Sequence, residues 1–487
     1  MTGDLNTNTT KEQERAELHR AIWQIANDLR GSVDGWDFKQ YVLGMLFYRF
    51  ISENLISWIN EDERRGGNKE FDYAVLADEK AEFGRADTLK EKGFFILPSE
   101  LFVNVRTKAR HDANLNETLA AVFRNIESSA KGTESEPDLK GLFDDLDVNS
   151  NKLGPTVEKR NQKLVKLLEA IGDLKLGNYY DNTIDAFGDA YEFLMTMYAA
   201  NAGKSGGEFF TPQEVSELLA EITTVGKKEV NKVYDPACGS GSLLLKFVKV
   251  LGKENVRQGF FGQEINLTIY NLCRINMFLH DINYNHFDVA HGDTLTDPKH
   301  WDDEPFDAIV SNPPYSTRWE GDGNPLLIND PRFSPAGVLA PKSKADLAFT
   351  MHMLSWLSTS GTAAIVEFPG VLYRGGAEQK IRKYLIDNNY IDCVIQLPPD
   401  LFFGTTIATC IIVLKKSKKD NKTLFIDASA EFVRGGNKNK LDDDNRAKIL
   451  KAFTARKDAD HFARLVANKT IEENDYNIAI STYVAQK

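Results

Sequence analysis

From about residue 230 onward, short β-rich runs alternate with helical ones, and this pattern restricts the fold more than anything else in the chain. "NKVYDPACG" leads into helical "SLLLKFVKVL", and "VRQGFFGQE" into "NLTIYNLCRINMFLH". "FDVAHGD" and "PFDAIVSNPP" come next. After a gap rich in Gly, Pro and Ser, helical "KADLAFTMHMLSWLS" precedes "GTAAIVEFP". Helical "AEQKIRKYLIDNN" precedes "YIDCVIQLP", and "ATCIIVLKK" ends the series. Parallel strands need long crossovers, usually helices, so the alternation predicts an α/β fold with a doubly wound mixed sheet of mainly parallel strands. Ligands of such sheets sit beyond the carboxyl ends of the strands, where the strand order reverses.

Upstream the periodicity is helical. "ELHRAIWQIANDLR" and "FKQYVLGMLFYRFISENLISWI" space Leu, Ile, Val, Phe and Tyr three and four residues apart. The second segment is the expected centre of a helical core. Residues 61–160 are polar and irregular, with short helical pieces such as "NETLAAVFRNIES"; "SAKGTESEPD" reads as an exposed loop. Helix returns in "NQKLVKLLEAIGDLKL" and "DNTIDAFGDAYEFLMTMYAANA". The pattern divides the chain into a mainly helical N-terminal domain (1–170), the α/β domain (171–430) and a charged, helical tail (431–487). The tail's apolar end, "ENDYNIAISTYVAQK", is expected to dock on its own core or on a partner.

The 487 residues, 42% hydrophobic and 27% charged, are enough for several domains with real cores. A formal net charge of −12 disfavours autonomous binding to nucleic acid, which depends on Lys and Arg contacts to phosphate. Cys238, Cys273, Cys393 and Cys410 form no CxxC pair, so neither a disulfide framework nor a zinc site is expected, and a reducing cytoplasm fits. The N-terminus carries no apolar signal segment, and no run of about 18 apolar residues is available to span a membrane.

Four places at predicted strand ends carry the chemistry. Asp235, Pro236 and Ala237 to Ser242 (Ala-Cys-Gly-Ser-Gly-Ser) join the first strand to a helix. The glycines allow a tight turn and close approach of a ligand, and Ser242 is a candidate N-cap. The pattern is neither a dinucleotide GxGxxG nor a P-loop. Cys238 reads as a small buried residue. Glu264 ends the second strand, about 25 residues on, where an acid can accept from both hydroxyls of a ribose. Asp293 and Thr294 end the third, where a carboxylate can take the exocyclic amine of an adenine ring or cap a turn. Finally, Asn312-Pro313-Pro314-Tyr315 stops the fourth strand on a rigid turn, since proline lacks the N–H of a strand ladder. The Asn312 oxygen and a proline carbonyl can both accept from one –NH₂ group, and Tyr315 offers a flat face. Two such acceptors draw a planar amine towards tetrahedral geometry and free its lone pair.

Glycine loop, acid, Gly-Asp and Asn-Pro-Pro-Tyr, in that order, resemble the S-adenosylmethionine-dependent amino-methyltransferases of DNA, with their Rossmann-like fold. "GGEFFTPQ" lies about 25 residues before "DPACGSGS". By composition it is a helix entry with Thr211 as N-cap and Pro212 at the first helical position. Together with "DAFGDAYEFLM", the helical N-terminus and "NDYNIAISTYV", it is similar to the type I restriction–modification methyltransferase subunits over most of the chain. The resemblance implies that Glu208, Phe209, Phe210, Thr211, Pro212 and Gln213, with Asp235 and Ala237 to Ser242, embrace the methionine part of S-adenosylmethionine. It implies that Glu264 holds the ribose, and that Asp293 and Thr294 lie near the cofactor's adenine. Asn312 to Tyr315 would take a target adenine flipped from the duplex. Phe333 or Trp319 would pack on that base or on DNA, and "STRWEGDGNPLLINDPRFSPAG" would be a mobile segment over the site.

Asn as the first residue of this motif favours adenine N6, whereas cytosine enzymes of the wider class usually begin with Ser. The same motif serves enzymes that methylate a protein glutamine, and the upstream "GGEFFTP" with the helical N-terminus decides for DNA. A stand-alone methylase of protein or RNA, or a cofactor-binding scaffold, are the competing readings. No base-reading element is visible, and the basic run "LKKSKKDNK" reads as a solvated strand end. The resemblance therefore implies DNA contact through a complex with a specificity subunit, a second methyltransferase copy and a restriction motor subunit, with no membrane.

Overall fold

The computed structural model describes residues 2–28, 35–176, 186–201, 211–402 and 405–487. Two compact units emerge: Met1–Ala202 with Arg274–Phe287, and Gly203–Cys273 with Asp288–Lys487. The helical unit thus runs past the boundary expected at 170 and takes in a short excursion from the α/β region. Residues 431–487 form no separate body.

The helical unit is centred, as its sequence predicts, on the helix Gly35–Arg65. Leu43, Met45, Phe47, Tyr48 and Leu55 are fully buried along it. Phe47 lies 5.4 Å from Phe143 and 5.7 Å from Phe278 between ring centroids. Arg49, also buried, donates to the carbonyls of Ile171 and Leu174 at 2.7 and 2.8 Å. It thereby caps the carboxyl end of the helix Val157–Asp173. The stretch 129–138 is not simply an exposed loop. Ser135 within it is buried, and its hydroxyl donates to the Gly93 carbonyl at 2.5 Å.

In the second unit the strands are β1 (Val230–Asp235), β2 (Val256–Glu264), β3 (Phe287–His291), β4 (Phe306–Ser311), β5 (Leu357–Glu367), β6 (Ile391–Gln396), β7 (Cys410–Lys415), β8 (Lys422–Asp427), a small hairpin β9 (Val433–Gly435) and β10 (Lys438–Lys440), and β11 (Ala463–Ala467). The main sheet has the order β11-β8-β6-β7-β5-β4-β1-β2-β3. β1 pairs parallel with β2 and β4, and β4 parallel with β5. β7 inserts antiparallel between β5 and β6, and β11 is antiparallel to β8 at the edge. The chain leaves β1 to build one wing, then returns to build the other, so the order reverses at β1/β4.

The tail is not wholly helical, because β11 belongs to the sheet. It also packs on its own unit. Ile471, Tyr476, Ile478, Ile480 and Val484 join the core that contains Tyr234, Ile365, Val394 and Phe425. Ile478 N–H donates to the Leu372 carbonyl at 2.9 Å, and Arg382 donates to the Tyr476 carbonyl at 2.9 Å. The basic run is likewise not simply solvated. Lys418 Nζ donates to the carbonyls of Ile391 and Lys422 at 2.7 and 2.6 Å, and desolvation lowers its pKa to about 8. Among the described residues no helix is long and apolar enough to cross a membrane.

Candidate active site

Strand register brings the motifs together. Asp235, the last residue of β1, pairs with Gly262 of β2, while Val233 and Tyr234 pair with Ala308 and Ile309 of β4. The glycine loop after β1, Glu264 at the end of β2 and Asn312 just past β4 therefore leave the same edge of the sheet. The end of β3 is tied in as well, since the Thr294 hydroxyl donates to the Pro236 carbonyl at 2.5 Å.

The loop turns through Gly239 and Gly241, at φ +53° and +84°, in the left-handed region that favours glycine. Gly262 permits a close approach, because a Cβ there would sit 3.0 Å from the Cys238 Sγ. Cys238 N–H donates to the Gln263 carbonyl at 3.0 Å, and Gly239 N–H to Glu264 Oε1 at 3.2 Å. The other Glu264 oxygen accepts from Asn266 N–H at 2.9 Å. Ser242 does not cap a helix. It is buried 3.2 Å from the Ser240 hydroxyl, and the helix starts only at Lys246.

Two acids share this pocket with little solvent. Asp235 is 1% exposed, and burial pushes its carboxyl up to about 7, against the opposing pull of the Ala237 N–H at 3.0 Å. Burial also raises the Glu264 carboxyl, again opposed by the backbone N–H groups it accepts. Both groups favour a ligand that brings positive charge or hydroxyl donors. Asp293 is less buried and accepts the Leu295 N–H at 3.0 Å.

At the Asn-Pro-Pro-Tyr turn, Asn312 is held at both ends of its amide. Its Nδ2 donates to the Thr211 hydroxyl at 3.1 Å, and its Oδ1 accepts the Tyr315 phenol at 2.5 Å. Thr211 is thus not the N-cap expected from its sequence. The helix Gln213–Thr223 begins after Pro212 without a side-chain cap, and the Thr211 hydroxyl serves Asn312 instead. Tyr315 stacks on Phe368 with centroids 4.2 Å apart, and burial pushes its phenol well up, so it remains a neutral donor.

One cavity, about 1050 Å³ with its open mouth, collects Thr211, Asp235, Ala237, Cys238, Gly239, Ser240, Ser242, Glu264, Asp293, Thr294, Asn312 and Pro314. Pro212, Gln213, Gly241, Pro313 and Tyr315 do not line it. Glu208, Phe209 and Phe210 lie outside the described residues. Sequence reasoning missed Ile265, which lines the cavity and is 61% exposed, and Phe349 on the helix Asp346–Trp356. An exposed aliphatic residue directly after the strand-end acid is the signal that could have found Ile265. Trp319 lines the cavity, but Phe333 is buried against it at 5.4 Å and cannot reach a base. Nor is 316–337 an open strap. Arg332 is buried within it and donates to the carbonyls of Thr294 and Leu295 at 2.8 and 2.6 Å. Asp330 pairs with the same guanidinium at 2.9 Å.

Residues 182–487 match the family described as N-6 DNA Methylase, and residues 18–171 match the HsdM N-terminal domain. The chain belongs to the N-6 DNA methylase family. It is 50% identical to the type I restriction enzyme MpnII methylase subunit of Mycoplasma pneumoniae, over 97% of this chain and 90% of that one. The MjaVII methylase subunit of Methanocaldococcus jannaschii is 28% identical over 98% and 79%. The crystal structure of a type I restriction–modification methyltransferase subunit from Streptococcus thermophilus superposes with a TM-score of 0.86 at 36% identity, covering 96% of this chain and 99% of that one. This N-6 DNA methylase accordingly has the fold and the domain pair of a type I modification subunit, and its chemistry is methylation of adenine N6 in DNA.

Proposed function

We propose that Asn312 and the Pro313-Pro314 turn hold the N6 amine of a flipped adenine against the glycine loop of the same cavity. The observation that carries this reading is that Asn312 and Pro314 line one pocket with Asp235, Gly239, Glu264 and Asp293. S-adenosylmethionine, the cofactor this family and fold imply, supplies an electrophilic methyl group on a sulfonium. The residues present fit it: buried acids suit its positive charge and ribose hydroxyls, and Ile265 offers an apolar surface to a flat ring.

Asp235 and the backbone of Ala237 to Ser242 face the methionine part, Glu264 the ribose, and Asp293 the adenine. Thr294 acts through its bond to Pro236, since its hydroxyl is already committed there. The Asn312 amide oxygen has two lone pairs, of which Tyr315 occupies one. The second is available to an adenine N6–H, and a proline carbonyl can take the other proton of the amine. These acceptors orient the amine and stabilise positive charge as it develops on nitrogen. Thr211 fixes which end of the amide faces the base. Sequence recognition comes from a separate specificity subunit, in a complex with a second methylase copy and, for restriction, a motor subunit.

The test is Asn312→Ala, assayed in the complex for transfer of labelled methyl to unmethylated DNA. Transfer is expected to fall at least about 100-fold, by analogy with loss of one transition-state hydrogen bond. Cofactor binding by equilibrium dialysis should persist. Undiminished transfer by the variant overturns the assignment.

A further inference from the structure

Beneath the Asn-Pro-Pro-Tyr turn lie two carboxyls that none of these roles uses. Asp346 opens the helix Asp346–Trp356, and Glu367 ends β5; they are 1% and 0% exposed. Asp346 Oδ1 accepts the N–H of Ser316 at 3.0 Å. Ser316 directly follows Tyr315 and holds φ +50°, a conformation that a residue other than glycine keeps only when its surroundings enforce it. Glu367 Oε1 accepts the Thr350 hydroxyl at 3.1 Å. The second oxygen of each acid, Asp346 Oδ2 and Glu367 Oε2, is buried with no donor among the described residues. Thr350 follows Asp346 by one helical turn, so the bond from its hydroxyl sets Glu367 against the helix face that carries Asp346, and the two carboxyls are neighbours.

Two ionised carboxylates in such contact repel, and neither can donate. A single proton between them removes both difficulties. Burial first, and then the Asp346 charge, hold the Glu367 carboxyl well above the usual range. The other titratable and charged groups facing the pair are Glu378, Tyr315, Cys410 and Arg374, and Arg374 is paired with Glu378 at 2.6 Å.

We propose that Asp346 and Glu367 share one proton, and that this pair positions the Asn-Pro-Pro-Tyr turn for methyl transfer. The proton resides on Glu367, which donates to the open oxygen of Asp346, while the other Asp346 oxygen accepts the Ser316 N–H. The pair grips both flanks of Tyr315. Asp346 holds Ser316 on one side, and Glu367 anchors the start of Phe368, which stacks on the Tyr315 ring at 4.2 Å. Asp346 and Glu367 are positioning residues, and the inference rests on the methyl-transfer reading above.

Glu367→Gln replaces the shared proton with a permanent N–H of nearly the same shape. Glu367→Ala is expected to lose methyl transfer, and Glu367→Gln to restore it at neutral pH. As pH rises past the ionisation of the pair, the wild-type complex should lose activity about tenfold per pH unit, whereas Glu367→Gln should not. Asp346→Asn removes the neighbouring charge but not the burial, so its alkaline limb should persist and move to lower pH. The infrared difference between the wild-type chain and Glu367→Gln should show a buried protonated carboxyl band at neutral pH that belongs to Glu367, apart from the Asp235 carboxyl common to both. Absence of that band in the wild type overturns the proposal, as does an alkaline limb that survives in Glu367→Gln. The infrared measurement needs no DNA, so a chain that carries the band but fails to methylate would sink the function and leave the shared proton standing.

Discussion

Asp235 is the residue whose environment most directly opposes its charge. In the folded protein without ligand its carboxyl titrates near 7, against an unfolded value of 3.8. Because the folded value is raised, the folded state binds the proton more tightly. Its contribution to stability is complete below about pH 4 and is lost as pH climbs through about 7. The change amounts to as much as about 4 kcal/mol. Urea unfolding of the ligand-free chain at pH 5 and pH 8 should show this loss, and Asp235→Asn should flatten it; an unchanged pH profile in the variant would contradict the burial argument. Asp235, Glu264, Asp293 and Asn312 were legible in the sequence because each ends a strand, and strand ends converge in a doubly wound sheet. The partner of Asn312 was not. Thr211 followed by proline reads locally as a helix entry, and its bond to Asn312 spans 101 residues. Hydrogen bonds between distant side chains leave no periodic trace.

At the level of elements, the stretch 316–337 was expected to move because it is long, polar and rich in Gly and Pro. Its composition hides one buried cation. Arg332 fills its donors with Asp330, with the Thr294 and Leu295 carbonyls and with His352 Nδ1 at 3.1 Å. It thereby locks the segment onto the end of β3. Arg332→Lys keeps the charge but loses the planar fork. The expected outcome is destabilisation by about 3 kcal/mol in urea unfolding, with cleavage by protease appearing first within 316–337. A variant as protease-resistant as the wild type would remove Arg332 from this role. The first seven strands were readable because their apolar runs are bounded by turn residues. β8 and β11 were not. In β8 a short apolar run follows a basic stretch, and β11 is a half-exposed edge strand with weak alternation. β7 runs antiparallel to β6, and their thirteen-residue connection carries no helix among the described residues.

For the whole molecule, the charge balance matters most. A chain with net charge −12 lacks the excess of cations that would neutralise many phosphates. In a gel-shift titration at about physiological salt, where specific complexes bind in the nanomolar range, the isolated chain should retain DNA poorly. The complex with a specificity subunit should retain it in a sequence-dependent way. Tight sequence-specific binding by the isolated chain would refute the division of labour. Acidity was legible from composition alone, while the interlocking of tail and sheet was not, since five scattered apolar residues in a charged stretch do not reveal which surface they cover. That interlocking governs biogenesis. Ile478, Ile480 and Val484 plug the same interior that Tyr234 on β1 began more than two hundred residues earlier. A ribosome must therefore deliver the chain through Val484 before the catalytic fold can close, and a nascent fragment stopped short of those residues would leave an oily gap for chaperones or proteases to find.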